Sequence, residues 1–179
     1  KLFFPNPQAM IPDAPGKAVS EDRGLPPPPH GRRYGLIING DTEARHQENA
    51  DEMLRFMKTH YRIPEPNIYF LSTRHGTGGI QMGGSLHSLR KAAAELKARA
   101  RSGDEVVVYI TGHGGGDNAD GKVFLEFTSS EGVKSAIDAA AFAHLYLDDN
   151  QAGASICLAD QCGSGAFAQA LTNTDKKVI

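Results

Sequence analysis

Two short glycine-rich strings carry the side chains best suited to covalent chemistry. His113 lies in Thr111-Gly-His-Gly-Gly115, and Cys162 lies 49 residues further on in Ala159-Asp-Gln-Cys-Gly-Ser-Gly165. A thiol attacks a carbonyl once a neighbouring imidazole manages its proton, and bare backbone N–H groups can then hold the developing oxyanion. Gly114 and Gly115 can bring such groups close to a substrate. Gly163 and Gly165 are expected to allow a tight turn that exposes the thiol at a helix start. The other cysteine, Cys157, sits inside an apolar run and reads as inert packing.

For the pair to meet, the elements before each residue must end side by side. Tyr34 to Asn39, Asn67 to Ser72, Glu105 to Ile110 and Ser155 to Ala159 are short apolar runs bounded by turn residues, as expected of buried parallel strands. Between them, Ala50, Met53, Leu54, Met57 and Tyr61 recur at helical spacing. So do Leu86, Leu89, Ala93, Leu96 and Ala100 ahead of Gly103. Lys122 to Phe127 reads as a hairpin arm and Ser135 to Asp149 as a third helix with a Ser135-x-x-Asp138 capping signal. A fourth helix is expected after Gly163. Strands alternating with helices imply a mostly parallel sheet between helical layers, with functional groups beyond the carboxyl ends of the strands. His113 and Cys162 both fall there.

The bulk properties bound the function. At 179 residues the chain suits one core, preceded by a Pro-rich stretch over residues 1 to 33 that reads as an extended arm. A net charge of −2, from 19 basic and 21 acidic residues, gives no basic footprint for nucleic acid. No apolar run reaches the roughly 20 residues of a membrane span. Lys1-Leu-Phe-Phe4 lacks the pattern of a signal peptide, and compartment is not legible. Two cysteines this close do not make a disulfide scaffold, and the remaining histidines show no metal-ligand spacing.

Taken together, Tyr109-Ile-Thr-Gly-His-Gly-Gly115 and Asp160-Gln-Cys-Gly163 resemble the paired motifs of caspase-like cysteine peptidases, a group that includes caspases, metacaspases, legumain and the catalytic subunit of glycosylphosphatidylinositol transamidase. The 49-residue separation agrees with a caspase spacing of about 50. Ala44-Arg-His-Gln47, the helix after it and Arg62-Ile-Pro-Glu-Pro-Asn-Ile68 are similar to the stretch following the first strand in legumain and the transamidase. The likeness runs from about Tyr34 to Ile179, nearest the legumain-like branch.

The resemblance implies a caspase-like three-layer sandwich with a mostly parallel central sheet flanked by helices. It also implies a catalytic domain over residues 34–179 that lacks its C-terminal strands. Cys162 is the expected nucleophile, His113 the acid and base, and the N–H groups of Gly114 and Cys162 the oxyanion donors, with no metal or organic cofactor. The partner is a peptide or protein substrate. Lys176-Lys-Val-Ile179 reads as the start of a further strand, so a second cleaved chain or a continuation is expected to complete the enzyme. Arg45 and His46 match the legumain-like Arg-His pair that reaches the pocket for the residue before the scissile bond, and Asp160 is expected there too. An acid beside a guanidinium suits a side-chain amide, hence cleavage after Asn, or after Asp on acidification. Asn39, Asp41 and Glu43 are the candidates to orient His113. A transamidase, a metacaspase-like enzyme cleaving after Arg or Lys, and a silent interaction module are the alternatives. A glutaminase-type amidotransferase is disfavoured because its Cys precedes its His. A flavodoxin-like nucleotide binder is disfavoured because Gly40 to Ala44 is acidic.

Overall fold

The structure is a computed structural model that describes residues 31–74, 76–117, 122–147 and 152–172. Most of the expected arm and the Lys176–Ile179 segment lie outside the described residues. In chain order the elements are β1 (Arg33–Asn39), α1 (Ala44–Thr59), β2 (Ile68–Leu71), β3 (Ile80–Met82), α2 (Leu86–Arg99), β4 (Glu105–Thr111), β5 (Gly114–Asp117), β6 (Lys122–Thr128), β7 (Lys134–Asp138), α3 (Ala139–Leu147), β8 (Ala154–Asp160) and α4 (Ser164–Thr172).

Among the described residues, five strands form one parallel sheet in the order β3-β2-β1-β4-β8. β1 and β4 are buried on both faces because helices cover both. Ile37, Phe70, Val107 and Tyr109 point to one side, against Ala50, Leu54 and Met57 of α1. Leu36, Ile38, Val106, Val108 and Ile110 point to the other, against Leu89 and Leu96 of α2, Phe142 of α3 and Phe167 of α4. The result is a three-layer α/β sandwich with a parallel centre, and each large side chain sealed in it contributes about 1.5–3 kcal/mol. No helix among the described residues is long and apolar enough to cross a membrane.

A second, antiparallel sheet, β5-β6-β7, is absent from the reading of the sequence in two places. The segment Ser135 to Asp138, expected as the first turn of a helix, is β7, and the helix begins only at Ala139. Asp138 is still a helix signal, but as the residue before the helix: its Oδ1 accepts the Ala141 N–H at 2.7 Å. The glycine cluster after β4 is not all loop either, since Gly114–Asp117 pairs with β6. β3 lies within what the sequence offers only as a glycine-rich loop, and α1 begins at Ala44, six residues before the first of its periodic apolar positions.

Candidate active site

Register decides which side chains meet. β4 pairs with β8 so that Thr111 lies opposite Asp160. His113 and Cys162 each follow two residues later, at matching height beyond neighbouring strands. Both line one pocket of about 280 Å³, together with Arg45, His46, Asp160 and Gln161. The sequence-predicted residues are thus gathered at one place.

The turn carrying Cys162 is made by one glycine, not two. Gly163 has φ +75, and a Cβ there would stand 2.5 Å from Val123 Cγ1, so both backbone sign and space require glycine. Gly165 lies inside α4 with open space around it, and no turn depends on it. Cys162 is exposed with a free thiol. Cys157 instead packs against the core beneath α2 to α4, where burial pushes its thiol up to about 12.

Gly114 passes directly over the turn bearing Cys162, since a Cβ on it would come 2.1 Å from the Cys162 carbonyl oxygen. The His113 carbonyl accepts the Glu126 N–H at 3.0 Å. Gly114 opposite Leu125 is then the non-hydrogen-bonded pair of the ladder, and its N–H points away from β6.

His113 is held by carboxylates. Its Nε2 is 3.0 Å from Glu43 Oε1 and 3.4 Å from Asp41 Oδ2. Asn39 does not reach it: buried at the end of β1, it bonds Gln47 Oε1 and Ser72 Oγ and accepts the Asp41 N–H. Of the three orienting candidates, two face the histidine and the third braces the loop bearing them. Glu43 is held below the usual carboxylate range, first by the Arg45 guanidinium and then by His113.

Arg45 and Asp160 border the same pocket but do not pair. The Arg45 Nε donates to Glu43 Oε2 at 2.8 Å. Asp160 Oδ2 accepts from the Tyr109 hydroxyl at 3.0 Å and from Asn49 Nδ2 at 3.1 Å, both neutral donors. Burial, then the hydrogen bond to Asp160, raises Tyr109 above the ordinary phenol range.

The chain matches no protein-family model and no curated protein. What the site does must be read from its own chemistry.

Several of its members have no role in the motif reading. Tyr109 and Thr111 stand inside the histidine string as strand residues only, Asn49 reads as helix filler, and the usable signal for the first two is their hydrogen bonding to Asp160 and His46. The spacing of the remaining histidines indicates no metal pair, yet the fold sets His46 and His113 edge to face at 5.6 Å beside Asp41. Two polar groups lining the pocket remain unanswered among the described residues, His46 Nε2 and both amide atoms of Gln161; the third such group, Asp51 Oδ1, lies on α1 outside it.

Proposed function

We propose that the protein is a cysteine endopeptidase acting through a thioester. The observation that carries this reading is the placement of His113 and Cys162 around one pocket beyond two paired strands, with the Gly114 N–H directed away from its own sheet beside the cysteine. A proton on His113 Nε2 serves Glu43 and Asp41, leaving Nδ1 as the nitrogen that exchanges protons with thiol and substrate. Cys162 Sγ bonds the peptide carbonyl carbon, and the carbonyl electron pair moves to oxygen, facing the N–H groups of Gly114 and Cys162. Collapse breaks the C–N bond while His113 protonates the leaving amine. Water, deprotonated by the same nitrogen, then hydrolyses the thioester and restores the thiol.

The residue before the scissile bond is a separate question. Preference for Asn rests on Arg45 neutralising Asp160, and Arg45 is instead engaged by Glu43. Asp160 takes its hydrogen bonds from the neutral donors Asn49 and Tyr109 and none from Arg45. This favours Arg or Lys in that pocket, with Asn as the second reading, since Arg45 still borders the same space.

The test is a peptide panel varied at that residue, run beside labelling with an electrophilic peptide ketone. Turnover with covalent mass on Cys162 is expected. Absence of both, in folded protein, would replace the enzyme by an interaction module.

A further inference from the structure

His46 is 6 % exposed and its Nε2 meets no hydrogen-bond partner among the described residues. Its other nitrogen, Nδ1, lies 2.9 Å from the Thr111 hydroxyl. With Nδ1–H donating to that oxygen, Nε2 presents a lone pair fixed in direction by a partner on the far side of the ring, which is how ligating imidazoles are held.

Two further donors face it. Asp41 is 4 % exposed, and one ligand atom each from Asp41, His46 and His113 fall within 4.8 Å of one another. Around tetrahedral zinc, with bonds of about 2.0–2.1 Å, such atoms stand about 3.4 Å apart, so no separation need close by more than about 1.4 Å. His113 can make that movement. It follows Gly112, at φ +136, and is itself partly exposed, whereas His46 is anchored on α1.

We propose that Asp41, His46 and His113 form a binding site for a divalent transition metal, zinc being the best match to two imidazoles and one carboxylate. The fourth position opens on the pocket. His113 gives up its Glu43 hydrogen bond and ligates through Nε2, which leaves the proton on Nδ1. That nitrogen then has no lone pair with which to accept a proton from thiol or water. Metal at this site switches catalysis off, a consequence that rests on the peptidase reading, while the metal site itself does not.

Calorimetric titration of the chelator-stripped chain with zinc chloride tests it, with thermal melts confirming that each variant is folded. One equivalent is expected. Asp41→Asn and His46→Ala should each weaken affinity about tenfold or more, as loss of a ligand does. Glu43→Gln removes a competitor for His113 and should bind zinc at least as tightly as the parent, and Cys162→Ala should stay within about threefold. No binding by the parent chain, or affinity lost with the thiol but kept without His46, would overturn the site. Cobalt(II) gives an answer without substitution: a four-coordinate spectrum lacking a thiolate charge-transfer band is expected, and a strong band of that kind counts against it. Should zinc bind while the stripped chain cleaves no peptide, the peptidase reading fails and the metal site stands.

Discussion

The two ends of the central sheet treat their polar groups in opposite ways. At the amino end, Asp104 accepts the Arg32 and Arg101 N–H groups at 2.7 and 2.9 Å, and its carbonyl accepts Gly153 N–H at 2.9 Å. Arg99 donates to Asn67, Tyr69 and Pro66 and lies 5.1 Å over the Tyr34 ring. These groups complete one another. At the carboxyl end, His46 Nε2 and the Gln161 amide have no counterpart among the described residues, and Asp160 leans on neutral donors. Unanswered polar groups weaken a fold unless a ligand meets them. One end satisfies its own groups and stabilises the strands, and the other leaves groups open to a ligand, as the proposed chemistry requires.

The sharpest way to break that contrast is Cys162→Ala. Turnover should fall at least about a thousandfold, with stability within about 0.5 kcal/mol of the parent. Retained cleavage in a peptide assay would remove the chemistry from this end. Gly163→Ala comes next, since it forces φ +75 on a side chain and drives it into Val123. Displacing the thiol by about 1 Å should cost about a hundredfold in kcat/KM, while Gly165→Ala, in open space, should leave it unchanged.

Asp104→Ala asks the reverse question. It should lower unfolding free energy by about 2 kcal/mol in urea titrations, because two backbone N–H groups lose their acceptor. Steady-state kcat/KM of the folded fraction should not move, and a drop there would join the two ends functionally. The substrate panel sharpens the view of Asp160, with Arg or Lys exceeding Asn about tenfold, or about 1.4 kcal/mol.

The smallest effect separates two cysteines five residues apart. Cys157→Ala should cost about 1 kcal/mol. Burial raises its thiol from about 9 toward about 12 in the fold. Above pH 9 the unfolded chain gains by releasing that proton, so stability declines as pH rises, by about 1 kcal/mol near pH 10. Melting curves of Cys157→Ala should lack that component of the decline.

The doubly buried strands were legible because each is an apolar run long enough to cross the sheet, and α2 because its periodic face ends at a glycine. β7 was not. Lys134 to Ala136 are exposed, and its pairing with β6 across a sequence gap overrides a pattern that reads locally as a capping box. β5 is hidden for a related reason: three of its four residues are glycine, which carry no strand preference of their own. At the site, Cys162 and His113 stand out because glycines frame them. The partners of His113 and the Thr111 hydroxyl behind His46 depend instead on strand register and on how α1 lies on β4, neither of which is written locally.

The strand order also sets a schedule. β1, β2, β3 and β4 can pair as soon as each is made, but β8, which leads to Cys162, joins the outer side of β4 and is the last of the five to be synthesised. The 49 residues between His113 and Cys162 take roughly 2 to 10 s to polymerise. Until then the strands already made can present His113 with no thiol opposite it. On the proposed reading, no covalent chemistry is open to the growing chain before β8 has joined β4.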